Sequence, residues 1–319
     1  MTRYSAFGFT LESVIELPDL SIQTDSNTPS WEIRSEPGVV PSDVAVLIGT
    51  DTVYEGVEAR AYTTPSGLRL IFDDTGTFDI RAAERVIAWY AGARVTDMAV
   101  RADLLGRVMA LAAHADGYFS LHASAVSIEG KGIAFLGPKH AGKSTLALAT
   151  VRNGARFLTD DTLMVRIDDR GAAWAAPGVH RARLWRDSIR ALDAQVSDES
   201  SAKPTVEGLT SIELETRVVP LSACYVVQAA EGGPRAAPIA REPMDAVHAA
   251  IACVRFSKTG LLLGGREGAV VLDRAARLTS SIPVFTATVR RDLASLDDVA
   301  AALIAWHQPS DGAQPMAAR

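Results

Sequence analysis

The chain has 319 residues, of which 48% are hydrophobic and 22% are charged, and its formal net charge at neutral pH is −6. These values are typical of a globular protein with one large domain or two domains of ordinary size. An acidic chain lacks the basic face that a nucleic-acid backbone requires, which excludes nucleic acid as a partner.

No segment predicts a membrane partner or a disulfide. The N-terminal stretch MTRYSAFGFTLESVIELPDL is interrupted by charge and proline, unlike a signal peptide. No run approaches the about 18 uninterrupted apolar residues that a bilayer span needs. Cys224 and Cys253 each lie inside an apolar run, which predicts small core residues in a reducing compartment. We therefore expect a cytoplasmic protein.

Residues 1–96 alternate short apolar runs with polar or proline-containing loops, a pattern typical of β structure. This region is predicted to form a smaller, β-rich α+β domain at the N-terminus. Its predicted strands are residues 4–9, 44–48, 59–62, 68–72 and 77–80.

The pattern changes after residue 96. Apolar residues recur at helical spacing over residues 97–115 and predict one long amphipathic helix, so residues 97–117 are taken as a linking helix. The residues that carry this spacing are Met98, Val100, Leu104, Leu105, Val108, Met109, Leu111 and Ala112.

Residues 118–307 are predicted to form a second, α/β domain. A polar stretch without periodicity, residues 197–210, is predicted to be mobile, and the tail 308–319 to be disordered. The predicted strands are residues 118–128, 132–136, 156–159, 163–167, 223–228 and 284–289, and the predicted helices are residues 144–152, 187–194, 243–255, 271–279 and 296–306.

Residues 137–145 match the pattern G-x-x-x-x-G-K-[ST] between a predicted buried strand and a predicted helix. Backbone N–H groups of such a loop and of the helix N-terminus attract a polyphosphate. Lys143 would reach the β- and γ-phosphates, and the Ser144 hydroxyl would take one Mg²⁺ coordination position. The alternative is a glycine-rich turn without a ligand, but the flanking elements favour nucleotide binding. The predicted nucleotide-binding residues are Gly137, Pro138, Lys139, His140, Ala141, Gly142, Lys143, Ser144 and Thr145.

Asp160 and Asp161 follow the first predicted strand after the helix of the loop. Phosphoryl transfer needs the phosphate charge neutralised and the attacking hydroxyl deprotonated. One carboxylate could hold Mg²⁺ and the other could accept the proton, and adjacent strand residues point to opposite faces. The alternative interpretation is a solvated Asp-Asp turn or a helix cap.

Two further places carry candidate site residues. His122 lies between apolar neighbours, where a lone histidine is either a core or hairpin residue or a site residue. Arg181 and Arg183 belong to the basic segment PGVHRARLWR, which either neutralises transition-state charge and grips an acidic substrate or is a solvated turn before a helix.

Three of these segments together resemble the kinase domain of the HPr kinase/phosphorylase family, bacterial enzymes that phosphorylate a serine of the carrier protein HPr. The segments are LHASAV, GIAFLGPKHAGKSTLALA and RNGARFLTDD, and Lys143 and Asp160 stand seventeen positions apart, as in that family. The resemblance is specific over residues 118–190 and extends to about residue 307.

Other segments resemble a stand-alone branch of that family, found with peptide-modification clusters such as those for lasso peptides. In that branch a kinase phosphorylates a precursor peptide. The segments are YSAFGFTLESVIELPDL, PGVHRARLWRDSIRAL and IPVFTATVRRDLASLDDV.

The resemblance implies a fold and residue roles. The fold is the phosphate-loop variant shared with phosphoenolpyruvate carboxykinase, which has a mixed sheet. Asp160 would be the base, Asp161 a metal-associated acid, and Lys143 and Ser144 would contact phosphate and metal. His122 becomes a site candidate. ATP and Mg²⁺ are the implied cofactors, and a homo-oligomer is possible because the carrier-protein kinases are hexamers.

The sequence departs from the family at two places. Lys139 and His140 stand where the family has Ser and Gly. Loss of that glycine costs about 1 kcal/mol if the position needs a positive φ, or else the two side chains add donors toward phosphate. The family's phosphorylase signature, a Glu-Arg-Gly-type stretch, is not evident around Arg181, so we expect neither the reverse reaction nor recognition of HPr itself.

Three functions remain in view. The first is an ATP- and Mg²⁺-dependent kinase for a serine or other hydroxyl of a peptide or small protein, with Arg181 and Arg183 contacting the substrate or the leaving group. The second is a small-molecule hydroxyl kinase with a closed pocket. The third is a nucleotide-binding regulatory module with little turnover.

Overall fold

The computed structural model describes residues 1–24, 30–54, 56–93, 95–197, 203–207, 213–230 and 237–308. In these residues the chain is α/β, with two large mixed sheets of nine strands each. A helical segment separates the two sheets in chain order.

The first sheet has the strand order β3-β1-β2-β4-β9-β8-β7-β6-β5. Strands β5 to β9 form an antiparallel meander, whereas β4 pairs in parallel with both β2 and β9. The strands are β1 (Thr2–Ala6), β2 (Phe9–Ser13), β3 (Ser21–Ile22), β4 (Trp31–Ser35), β5 (Val46–Tyr54), β6 (Val57–Thr64), β7 (Gly67–Phe72), β8 (Gly76–Arg81) and β9 (Val86–Ala91).

The strands predicted at residues 59–62, 68–72 and 77–80 are confirmed as parts of β6, β7 and β8. The single strand predicted over residues 4–9 is wrong, because the chain reverses there. Phe7 and Gly8 have φ values of 59° and 80°, which is the backbone of a tight hairpin turn, and β1 pairs with β2 across it.

The predicted helix over residues 97–115 is observed as one continuous helical segment. It consists of α1 (Asp97–Asp103), a π-helical turn (Leu104–Val108) and α2 (Met109–Ala115). The Thr96 hydroxyl accepts a hydrogen bond from the Ala99 backbone N–H and caps its start. In α2 every residue from 109 to 114 is buried, including His114, which contacts Glu267, so this part has no solvent-exposed polar face and is not amphipathic.

One apolar cluster includes Leu70 of the first sheet, Val108 of the helical segment and Leu136 of the second sheet. All three side chains are fully buried. The helical segment therefore packs into a core that it shares with both sheets. The division into domains at residues 96 and 118 stays a prediction.

The second sheet has the order β10-β14-β15-β16-β12-β11-β13, and β18 pairs with both β16 and β17. Its central strand β12 runs parallel to β16 and antiparallel to β11, so the sheet is mixed. The strands are β10 (Phe119–Leu121), β11 (Ala123–Ile128), β12 (Lys131–Leu136), β13 (Arg156–Thr159), β14 (Leu163–Ile167), β15 (Ala173–Ala176), β16 (Val219–Ala229), β17 (Ile239–Pro243) and β18 (Val284–Val289); the helices are α3 (Lys143–Arg152), α4 (Arg186–Leu192), α5 (Ala246–Arg255), α6 (Gly265–Ser281) and α7 (Leu296–His307).

Several predictions for this half need correction. The helix predicted over residues 271–279 runs from Gly265 to Ser281. The strand over residues 118–128 is divided at His122 into β10 and β11. The helix predicted from residue 243 begins at Ala246, because Pro243 ends β17 and the Asp245 carboxylate caps α5. In the stretch 197–210, Thr205 pairs with Arg183 in an isolated β-bridge.

Parts of two predictions lie outside the described residues, namely 198–202 and 208–210 of the polar stretch and 309–319 of the tail. Within the described chain no helix combines the length and apolar character that a membrane span would need. Cys224 and Cys253 are buried free thiols, as predicted, and burial raises the pKa of Cys253 to about 12.

Candidate functional site

The 137–145 loop joins the buried strand β12 to α3, which begins at Lys143. Gly137 has φ 152°, and a Cβ atom there would lie 3.0 Å from the Val227 carbonyl oxygen. Gly142 has φ 91° and is the residue before α3. Both glycines therefore occupy positions that a side chain would strain, which fixes the turn from strand to helix.

Lys143 lies beneath this loop and is only 8% exposed. Its Nζ donates hydrogen bonds to the carbonyl oxygens of Gly137 (2.8 Å) and Pro138 (3.2 Å). Burial lowers the pKa of Lys143 to about 8, although the nearby carboxylates of Asp160 and Asp161 act to raise it. The ammonium form still predominates at neutral pH, so the lysine places a positive charge under the loop.

Asp160 connects the loop to two other elements. Its Oδ1 accepts hydrogen bonds from the Ser144 hydroxyl at 2.8 Å and from the Ser124 hydroxyl of β11 at 2.6 Å. Its Oδ2 accepts a longer bond, 3.4 Å, from the backbone N–H of Arg183. The carboxylate is thereby fixed beside the first turn of α3.

The pair of Ser144 and Asp160 fits a magnesium ion. Mg²⁺ prefers oxygen ligands and is usually held by one or two carboxylates together with substrate phosphates and water. A hydroxyl and a carboxylate oxygen 2.8 Å apart supply such donors. No group of three or more His, Cys, Asp or Glu side chains that could hold a metal is found among the described residues.

Asp161 faces a different set of partners. Its backbone is left-handed (φ 69°), and its side chain is 58% exposed. Oδ1 lies 3.0 Å from His122 Nδ1, and Oδ2 accepts a hydrogen bond from Lys258 Nζ at 2.5 Å. Desolvation acts to raise the pKa of the Asp161 carboxyl, but the charge of Lys258 and the contacts with His122 outweigh it and hold the pKa well below its usual range. Asp161 is therefore ionised at neutral pH.

His122 and Lys258 are positioned by backbone hydrogen bonds between the β10–β11 bend and the connector after α5. The His122 backbone N–H donates to the Phe256 carbonyl at 2.6 Å, and the Lys258 N–H donates to the Ser120 carbonyl at 3.1 Å. The Lys258 side chain is only 10% exposed. The sequence alone does not indicate Lys258 as a site residue, because it lies 97 residues from Asp161 and belongs to no motif.

The two arginines predicted for the site are engaged elsewhere. The Arg181 guanidinium donates to the Asp19 carboxylate at 2.7 Å and to the Thr205 hydroxyl. The Arg183 guanidinium donates to the Lys203 carbonyl at 3.1 Å. From this segment, the backbone N–H of Arg183 is the group that contacts Asp160.

Arg181 also lines an open cleft of about 520 Å³. The cleft lies between the loop after β2 and the basic segment, two residues along the chain from the N–H that contacts Asp160. Its lining residues are Pro18, Asp19, His180, Arg181, Thr205, Val206 and Glu207.

His140 adopts φ 71°, so the position at which the resembled family has glycine does require a positive φ here. Its imidazole ring stacks on the Trp185 indole, with the ring centres 5.0 Å apart and an angle of 24° between the planes. The loop thus carries backbone strain at His140 together with an aromatic contact that holds it.

We expect His140→Gly to be more stable than His140→Ala by about 1 kcal/mol in the free energy of unfolding, because alanine keeps the strained backbone and glycine relieves it. Both variants lose the stacking contact with Trp185, so the difference between their free energies of unfolding reports the backbone strain alone. Urea denaturation of the two variants measures it. Lys139 does not have a positive φ, so Lys139→Gly should not be more stable than Lys139→Ala. If His140→Ala is as stable as His140→Gly, the backbone at residue 140 is not strained.

No protein-family model matches the chain, and no curated protein matches it either. Among solved structures, the HPr(Ser) kinase/phosphatase from Coxiella burnetii aligns with 59% of this chain and 96% of its own, at 12% identity and a TM-score of 0.31. A likeness this weak supports no argument about the site. The functional proposal therefore depends on the geometry of the residues described above.

Proposed function

We propose that this chain is an ATP- and Mg²⁺-dependent kinase of the HPr-kinase-like type, which transfers the γ-phosphate to a serine or another hydroxyl of a peptide or small protein. One observation carries the proposal: the Ser144 hydroxyl of the 137–145 loop donates to the Asp160 carboxylate at 2.8 Å. Phosphate-loop enzymes hold magnesium with a serine or threonine of the loop and an aspartate from elsewhere in the chain. Asp160, which directly follows β13, is in that position here.

The loop supplies the phosphate contacts. Its backbone N–H groups and the start of α3 attract the α- and β-phosphates. Lys143 is already beneath the loop, and its bonds to two loop carbonyls can be exchanged for bonds to phosphate oxygens. Ser144 and Asp160 would hold Mg²⁺, which neutralises charge on the β- and γ-phosphates when it is bound.

For the proton acceptor, the geometry favours Asp161. The resemblance implied Asp160 as the base, but Asp160 Oδ1 is occupied by two serine hydroxyls. Asp161 is more open, with 58% of its side chain exposed, and both of its oxygens are oriented by His122 and Lys258. We therefore propose that Asp161 takes the proton as the acceptor oxygen attacks the γ-phosphorus, and that Asp160 serves the metal.

A peptide or small-protein acceptor is favoured over a metabolite by the open cleft beside the basic segment. The cleft has about 520 Å³ of space, and Arg181 lines it. The next arginine, Arg183, contacts Asp160 through its backbone. A peptide could lie in such an open cleft, which begins two residues along the chain from the Arg183 N–H that contacts Asp160, whereas a metabolite kinase needs an enclosed pocket.

The test combines binding and transfer. Calorimetric titration with Mg-ATP should give a binding heat for the wild-type protein and a much smaller one for Lys143→Met. Mass spectrometry of serine-containing peptides encoded beside the gene should then show phosphate added in the presence of Mg-ATP. Absence of binding heat contradicts the proposal, and binding without transfer to any hydroxyl or water supports the regulatory module instead.

A further inference from the structure

The stack of His140 on Trp185 is not explained by phosphate binding. Of the aromatic ring pairs among the described residues, it is the one that includes a residue of the 137–145 loop. Trp185 immediately precedes α4 and is 41% exposed. A large apolar indole is therefore held against the loop with much of its surface open to solvent.

Trp185 is held in place from several sides. On the loop, the His140 ring covers part of the indole. On α4, the Ser188 hydroxyl is 2.9 Å from the Thr145 hydroxyl of α3. The preceding residue, Leu184, is 1% exposed and its N–H donates to the Pro204 carbonyl. The indole is thus a preorganised flat surface beside the loop.

The exposed face of the Trp185 indole suits the base of a nucleotide better than its phosphates. Lys143, Ser144 and Asp160 mark the γ-phosphate end of the site, which is lined by an ammonium group, a hydroxyl and a carboxyl group. The other end of a nucleotide is a flat purine, which needs an apolar or aromatic surface for stacking. The Thr145 hydroxyl contacts Ser188 of α4, so the helix that Trp185 directly precedes is anchored to the start of α3.

We propose that Trp185 is the base-stacking residue of the nucleotide site, and that the purine of ATP lies on the exposed part of the indole whose other part contacts His140. This inference rests on the proposed function, since it assumes that a nucleoside triphosphate occupies the loop. It also gives His140 a role: the imidazole supports the indole, which offsets the strained backbone at that position.

The experiment compares two ligands that differ in the base. Dissociation constants for Mg-ATP and Mg-tripolyphosphate are measured for the wild-type protein, Trp185→Ala and Trp185→Phe. Loss of the indole should weaken Mg-ATP about 10-fold and change Mg-tripolyphosphate by less than about 2-fold, because only ATP stacks. The phenylalanine variant keeps a ring and should fall between the wild type and alanine.

Trp174 provides the matched control. It is a partly exposed tryptophan of β15 whose indole N–H donates to Asp168 and which makes no ring contact with the loop. Trp174→Ala should leave both dissociation constants unchanged. In addition, Mg-ATP should quench tryptophan fluorescence in the wild type and in Trp174→Ala but not in Trp185→Phe.

The outcomes separate the two proposals. If Trp185→Ala weakens both ligands equally, the indole only supports the loop and the base-stacking role is overturned. If it weakens neither, that role is overturned as well, while the kinase proposal stands. If the wild-type protein binds neither ligand, the kinase proposal itself fails.

Discussion

Asp160→Asn is expected to reduce phosphoryl transfer about 10³-fold while nucleotide binding without magnesium stays close to that of the wild type. Asparagine preserves the shape of the side chain and one oxygen that can accept from Ser144 and Ser124. It removes the negative charge that a magnesium site requires. Steady-state transfer of labelled phosphate, measured over a range of magnesium concentrations, gives the rate and the metal dependence.

Two control variants make this result specific. Ser124→Ala removes one hydrogen bond to Asp160 without changing charge, and it should cost no more than about 10-fold. Asp168→Asn removes a carboxylate that caps the β14–β15 turn away from the loop, where it accepts from Arg170, Ala172 and Trp174. It should not alter transfer. A wild-type rate in Asp160→Asn contradicts the metal role and favours a binding module.

The site could be predicted from sequence where its geometry is local. The 137–145 loop follows from a buried strand, two glycines and a helix start, all within one short segment. The closeness of Asp160 to Ser144 depends on one further strand, and the hydrogen bond between them spans only 16 residues. The loop conformation and the Ser144–Asp160 contact both depend on residues close together in the sequence, in one strand–loop–helix–strand segment.

The partners of Asp161 could not be predicted in the same way. Lys258 reaches Asp161 because the connector after α5 hydrogen-bonds to the β10–β11 bend through Ser120 and His122. No periodicity or motif in the sequence encodes that approach. The left-handed backbone of Asp161, φ 69°, is also not predicted by the sequence, because such a backbone is uncommon for a residue other than glycine.

The same contrast holds for the fold. The antiparallel strands β6, β7 and β8 are predicted because polar or proline-containing loops such as TTPSG, residues 63–67, separate the apolar runs. Strands β4 and β9 were missed, and they pair in parallel between elements far apart in the sequence. The hairpin at Phe7 was missed because a phenylalanine at φ 59° is uncommon and only the following glycine signals a turn.

Lys258→Met is expected to move the acid limb of the pH–rate profile toward higher pH and to lower the rate of transfer by about 10-fold on that limb, with a smaller effect at neutral pH. Lys258 Nζ lies 2.5 Å from Asp161 Oδ2, and its charge helps to hold the pKa of that carboxyl well below its usual range. Without the ammonium group, Asp161 loses a charge that lowers its pKa, so the carboxylate is protonated at a higher pH. Activity should therefore fall more at pH 5 than at pH 8.

The shift of the acid limb distinguishes control of the proton acceptor from a structural role. Lys258→Arg keeps the charge beside Asp161 and should restore the position of the acid limb, even if the rate is not fully recovered. Lys131→Met removes a lysine from the opposite end of β12 and should change neither. A uniform loss of rate at every pH in Lys258→Met would mean that the lysine only supports the fold, because a change in the pKa of the base must move the limb that reports its protonation. If the acid limb moves in Lys258→Met and returns in Lys258→Arg, the proton acceptor is Asp161 and not Asp160. Lys258 contacts Asp161. The Asp160 carboxylate instead accepts hydrogen bonds from Ser124, Ser144 and the Arg183 N–H.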